Sequence, residues 1–240
     1  MNKKQSTTLY CFSPPVMLAT FVIELCLALY TLVRYKLTPI TRLAITMLVG
    51  LSIFQIAEYN VCVGAWGIDS LGWSRVGYVA ITLLPPLGIH LATRIAGQRQ
   101  RLLVLAGYAA AAAFALFFLL VGQGMQSSAC LGNYVIFRTA PWASLLYGLY
   151  YYGLLFVGVG YAWWAAKKQK SKHAALALRL LALGYIAFIL PTTTVNLIDP
   201  STRAGIPSIM CGFAVILALL LALWIVPEAV KVPSSRVRKK

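Results

Sequence analysis

The chain has 240 residues, 60% of them hydrophobic and only 11% charged, with a mean hydropathy of +0.80. A soluble domain carries about 25% charged residues and roughly 45–50% apolar ones, so the composition excludes an ordinary water-soluble fold and makes lipid the expected solvent. A formal net charge of +16 would suggest nucleic acid in a soluble protein, but the placement of the cations gives them another role, and no nucleic-acid partner is expected.

The opening MNKKQSTTLY is polar and the apolar run after it has full span length, which predicts a first helix that inserts and is kept rather than a cleaved leader. Hydrocarbon about 30 Å thick takes about 20 apolar residues of helix, because every backbone N–H and C=O must be satisfied inside the segment. Seven stretches qualify: Pro14 to Val33, Leu43 to Val63, Val76 to Ile95, Leu102 to Gly122, Ala143 to Ala166, Ala174 to Ile198 and Ile206 to Val226. Arg179 interrupts the start of the sixth, one turn in, where it can snorkel to the headgroups. The expected fold is an all-α integral membrane bundle of seven transmembrane helices over residues 14–227. An extracytoplasmic segment, 1–13, precedes it and a basic cytoplasmic tail, 228–240, follows.

Orientation follows from the cations. Arg34, Lys36 and Arg42 follow the first helix, Arg94, Arg99 and Arg101 the third, and Lys167, Lys168, Lys170 and Lys172 the fifth. With Arg179 and the tail's Lys231, Arg236, Arg238, Lys239 and Lys240, that puts 16 of the 21 basic residues on one side. The other side has Lys3, Lys4, Arg75, Arg138 and Arg203. The positive-inside rule then predicts an external N-terminus and a cytoplasmic tail, in a cell (inner or plasma) membrane. The cations need only orient the chain and attract anionic headgroups, at about 1 kcal/mol each near the surface. All six tryptophans, Trp66, Trp73, Trp142, Trp163, Trp164 and Trp224, fall near span ends, as an interfacial belt should. Gly153, Gly158, Gly160 and the run Ala109–Ala113 suit close helix packing. No internal repeat supports an inverted-repeat transporter.

Five cysteines occur. Cys26, mid-span, reads as a small packed hydrophobe. Cys11, Cys62, Cys130 and Cys211 all map to the outer side, where thiols oxidise. Three pairings are open, with Cys11–Cys211 and Cys62–Cys130 favoured. A metal site using Cys11, Glu58, Asp199 and Cys211 is the alternative, though no C-x-x-C or H-x-x-x-H spacing supports it.

A charge inside a bilayer costs from ~2.5 to above ~10 kcal/mol, so intramembrane polar groups are functional suspects. Glu24 shares a face of helix one with Thr20 and Thr31. Helix two carries Ser52, Gln55, Glu58 and Cys62 on one stripe. Helix three places Thr82, Pro86, His90 and Thr93 together, with His90 read first as partner to a carbonyl that Pro85 and Pro86 set free. Helix six ends in Thr192, Asn196 and Asp199, and helix seven starts with Ser208 and Cys211. If helices one, two, six and seven are neighbours, Glu58, Asn196, Asp199 and Ser208 converge near the outer face. The alternative to interhelical hydrogen bonds that only fix packing is a pocket around Glu58 as proton carrier, ligand anchor or metal ligand. Tyr147, Tyr150, Tyr151 and Tyr152 in helix five suit a lipophilic ligand.

Several membrane classes lack their residues. Helix seven has no Schiff-base lysine for retinal. No H-E-x-x-H helix or G-x-S-x-G elbow occurs. His90 and His173 are too few for a three-histidine zinc hydrolase. Enzymatic readings are therefore disfavoured, and no cofactor is assigned.

Cys11-Phe12-Ser13, Gln55 with Glu58, and Ser208-Ile209-Met210-Cys211 resemble an uncharacterised family of small prokaryotic seven-helix proteins that open with Met-Cys-Phe-Ser and carry Ser-Ile-Trp-Cys late. This chain differs by a ten-residue extension before the cysteine and by Met210 in place of tryptophan. The resemblance implies the fold and a shared polar constellation. Leu83-Leu84-Pro85-Pro86-Leu87-Gly88-Ile89-His90 is similar to the third-helix region of seven-helix sensor modules of histidine kinases, with no kinase domain following here. The expected function is binding of a small ligand, proton or lipid in an outward-facing pocket of Glu58, Gln55, Glu24, Asn196, Asp199, Ser208 and His90, as a sensory component. Its partners would be the bilayer and a cytoplasmic protein meeting the basic loop and tail. The rivals are a proton-coupled transporter or channel using Glu24 and Glu58, and a metal-dependent membrane enzyme.

Overall fold

The computed structural model describes residues 13–64, 66–122, 124–130 and 134–232. Within them, seven helices are long and apolar enough to cross a membrane. Helix α1 (Pro14–Arg34) starts with prolines in its first turn, where a missing N–H costs nothing. Helix α2 (Pro39–Val63) starts from a capping box between Thr38 and Thr41 and stops at Gly64, whose φ of 71° closes the helix in the left-handed region.

The third span begins earlier than the expected Val76, because Asp69 caps it: its carboxylate accepts from Gly72 N–H at 2.8 Å. The span is also broken, into α3 (Ser70–Thr82) and α4 (Leu84–Ala96). Pro86 has no N–H to offer the Thr82 carbonyl four residues back. The Tyr150 hydroxyl, from another span, donates to that carbonyl at 2.7 Å instead. His90 does not fill this role as expected. It sits two turns beyond the freed carbonyls, and bonds Tyr108 and Arg94.

Helix α5 (Arg101–Leu120) follows, then an unforeseen hairpin of β1 (Ser127–Cys130) and β2 (Val135–Arg138), antiparallel, with Ser127 opposite Arg138 and Cys130 opposite Val135. Helices α6 (Pro141–Lys167) and α7 (Lys172–Ile198) form the next two spans. A 3-10 turn, Pro200–Gly205, leads into α8 (Ile206–Leu220), which passes through a π turn, Leu221–Ile225, into α9 (Val226–Val230). The π turn precedes Pro227, whose ring cannot fit an unmodified α-helix. At this end Glu228 pairs with Lys231 at 2.5 Å and with His173 Nδ1 at 2.6 Å, tying α9 to the start of α7.

The bundle closes because α8 packs on both α1 and α7. Helix α1 contributes one buried stripe, Met17, Thr20, Glu24, Ala28 and Thr31. Cys26 lies off this stripe and is exposed, contrary to its reading as a packed residue. Outward faces are apolar, with Val33 86% and Leu102 82% exposed, a surface water does not tolerate over such lengths. Trp73 is not a belt residue: it is buried, its ring 5.6 Å from that of Trp66, while the other five tryptophans are exposed.

Close approach uses other small residues than expected. Gly158 does face Ile89, but nothing lies within 4 Å of a side chain built at Gly153 or Gly160, and only Ala111 of the alanine run is buried. The tightest contact is at Gly88, where an added Cβ would sit 1.4 Å from the Tyr185 hydroxyl. Gly88→Ala should therefore lower the stability of the detergent-purified protein by ~1–3 kcal/mol, whereas Gly153→Ala should stay within about 0.5 kcal/mol. Equal melting temperatures for the two variants would contradict this packing.

Candidate functional site

The hairpin builds one end of the bundle. Val135 and Phe137 alternate inward and are buried. Phe137 packs on Phe54 of α2 and Tyr78 of α3, with ring centroids at 6.1 and 5.2 Å. The Val135 N–H donates to the Ser208 hydroxyl at 3.2 Å. A disulfide between Cys62 and Cys130, one of the expected pairs, staples the hairpin to α2. Cys11 lies outside the described residues. Cys211, its expected partner, is buried and makes no disulfide among the described residues.

Beneath the hairpin lies a cavity of about 720 Å³, within the range of small-molecule sites. One wall is aromatic: Tyr78, Tyr147, Tyr151, Tyr152 and Phe137. Tyr147, Tyr151 and Tyr152 come from α6 and Tyr78 from α3, and the Tyr147 ring meets those of Tyr78 and Tyr151 at a tilt, at 5.5 Å and 5.7 Å. Tyr147 is further held by the Thr82 hydroxyl at 3.1 Å, next to the break in the third span. The floor includes Met210 and Cys211, and the polar groups are Gln126, Arg138, Thr139, Ser144, Asn196 and Arg203. Thr139 and Ser144 also hydrogen-bond each other. The Asn196 amide oxygen is buried and has no partner among the described residues.

Of the residues expected at the site, Asn196 lines this cavity. Gln55, Glu58, Glu24 and Ser208 instead form a buried polar seam behind it, between α1, α2 and α8. Gln55 Nε2 donates to the Cys211 carbonyl at 3.0 Å, which links the seam to the cavity floor. The Glu58 carboxyl, 2% exposed, lies beside Ser208, and its Oε1 has no hydrogen-bond partner among the described residues. Both oxygens of Glu24, fully buried, are likewise unpartnered. The two carboxyl groups lie within electrostatic range of each other and of Cys211.

Asp199 does not join them. It is exposed and starts the 3-10 turn, its Oδ1 accepting from Ser201 N–H at 3.0 Å and from the Ser201 hydroxyl at 2.6 Å. These bonds hold its carboxyl below the usual carboxylate range. His90 stands apart in α4, where Arg94 Nε donates to its Nε2 at 3.1 Å and the Tyr108 hydroxyl lies 3.2 Å from its Nδ1. With Nε2 accepting, the ring carries its proton on Nδ1. Among the described residues no group of three His, Cys, Asp or Glu side chains is placed to hold a metal ion, since Asp199 turns to its own loop.

Sequence reasoning passed over Arg138 and Arg203. Both are cavity residues from the side that is poor in cations, and that scarcity was the available signal: a charge not needed for orientation has another use. Comparison with protein-family models and with curated proteins finds no match to the chain.

A buried carboxyl group without partners costs stability. Glu24→Met should accordingly raise thermal stability, by ~1–4 kcal/mol. A fall in melting temperature would mean that Glu24 makes an interaction absent from this arrangement.

Proposed function

We propose that this protein is a seven-helix membrane binding protein, its N-terminus and hairpin outside the cytoplasm, whose outward cavity takes a small organic ligand. The cavity carries the reading: it joins an aromatic wall to a few convergent polar groups, the usual make-up of a ligand site. Charge asymmetry supports the orientation, because Arg34, Lys36, Arg94, Arg99, Arg101 and Lys167 to Lys172 all fall at connections opposite the hairpin. In this reading ligand binding is passed to a cytoplasmic protein through the basic loop between α6 and α7 and through the tail.

The rim is built to respond. Ser208 accepts from the hairpin's Val135 N–H and lies beside Glu58 in the seam, and Gln55 reaches the cavity floor. A ligand that shifts the hairpin therefore acts on α2 and α8 together.

Gly148 gives a clean test. It lines the cavity, and nothing lies within 4 Å of a Cβ built there. Gly148→Phe should fill the space without disturbing the helix contacts. Native mass spectrometry of the protein released from its own membranes should show a bound small molecule on the wild type, lost or at least about tenfold depleted in Gly148→Phe. The same occupancy in both proteins would sink the proposal.

The unpartnered Glu24 and Glu58 favour a second reading, proton coupling. It predicts proton flux in reconstituted liposomes that disappears in Glu58→Gln, and no flux of any ion in the wild type would remove it.

A further inference from the structure

The charges of the chain do not balance around the cavity. Of its five acidic residues, Asp69 caps α3, Asp199 caps the 3-10 turn, and Glu228 pairs with His173 and Lys231. Glu24 and Glu58 are buried in the seam. Among the described residues neither Arg138 nor Arg203 is ion-paired with any of them. Yet both arginines line one cavity, brought there by β2 and the 3-10 turn, which pack against each other. Two cations at one concave site raise the local positive potential and draw anions. The planar guanidinium fork matches the oxygens of a carboxylate or phosphate in bidentate fashion.

The rest of the cavity selects against a bare anion. Its aromatic wall is large, and Leu145 belongs both to the cavity and to the outer face of α6, where it is 65% exposed. Beside it Gly148 leaves the wall open. An apolar chain can thus pass from the hydrocarbon around α6 into the cavity while its head stays at the arginines, near the aqueous end.

We propose, building on the ligand-binding reading above, that the cavity binds an amphiphile with an anionic head, carboxylate or phosphate, held by Arg138 and Arg203 with its chain along the tyrosines of α6. Asn196, Gln126 and Ser144 supply neutral hydrogen bonds around the head.

The test uses the full chain in phosphatidylcholine nanodiscs and reads the ligand-induced rise in melting temperature for four probes: dodecyl phosphate, dodecanoate, dodecyltrimethylammonium and inorganic phosphate. Both anionic amphiphiles should stabilise the wild type, whereas the cationic one and inorganic phosphate should not. The Arg138→Gln, Arg203→Gln double variant should weaken dodecyl phosphate by about tenfold or more. Both side chains are exposed, so its melting temperature without probe should match the wild type. Gly148→Phe should abolish the response to both anionic amphiphiles.

Equal stabilisation by the cationic and anionic amphiphiles, unchanged in the arginine double variant but lost in Gly148→Phe, would overturn the anionic head and leave the cavity reading standing. Inorganic phosphate acting as strongly as dodecyl phosphate would overturn the chain. Responses that survive Gly148→Phe, or none from any probe, would overturn the anionic-amphiphile proposal. Loss of the bound native molecule in mass spectrometry remains the separate judge of the cavity itself.

Discussion

Buried backbone groups need hydrogen-bond partners, so each one that a proline strips of its partner must find another inside the bundle. The Thr82 carbonyl is the point on which the site turns. Pro86 cannot serve it, and the Tyr150 hydroxyl does. That bond, with the Tyr147–Thr82 contact beside it, fixes α6 against the third span at the level where that span breaks. The tyrosines thereby form a wall instead of filling the space, and the cavity follows from the repair of a helix defect. Gly107 against Pro86 and Gly88 against Tyr185 show the same economy: small residues stand where the broken span meets its neighbours.

The other half of the site is made by the hairpin. Its inward residues, Val135 and Phe137, anchor it to α2, α3 and α8, and the bond from Cys62 to Cys130 holds it to α2. Period-two alternation then turns Arg138 away from the core and to the cavity rim. Under the rim runs the seam of Gln55, Glu58, Ser208 and Glu24. A buried carboxyl group with open hydrogen-bonding capacity is an expensive feature to keep, and functional sites are where proteins keep such features. The Gln55 amide bonds the Cys211 carbonyl and so joins the seam to the cavity floor, with Glu24 and Glu58 within electrostatic range of the same cysteine.

Much of this was legible in the sequence, for physical reasons that differ by residue. The length and hydropathy of the apolar runs yield the seven helices, each long and apolar enough to cross a membrane. The stripes of α1 and α2 were readable because helical spacing alone puts Glu24 with Thr20, and Glu58 with Gln55. The Cys62–Cys130 pair followed from shared depth. Five features were not readable. Asp69 extended the third span through a local cap that hydropathy does not register. The hairpin is short and weakly patterned, so its strands looked like loop. His90 was matched to a freed carbonyl by proximity in sequence, whereas the partner came from Tyr150, 68 residues after Thr82. Asp199 shared a helical stripe with Asn196, but the helix ends before it, and its carboxylate turned to Ser201. Arg138 and Arg203 converge only through the packing of β2 on the 3-10 turn, a contact no periodicity announces.

All of these roles depend on lipid as solvent and on the hairpin end facing outward. Sidedness is measured most directly by labelling introduced cysteines in intact cells with a membrane-impermeant thiol reagent, in a Cys11→Ser background. Ile68→Cys, exposed near the hairpin, should label in intact cells, and Lys170→Cys, in the basic loop, only after the membrane is opened. Labelling of Lys170→Cys from outside, with Ile68→Cys protected, would contradict the account and put the cavity on the other side of the membrane.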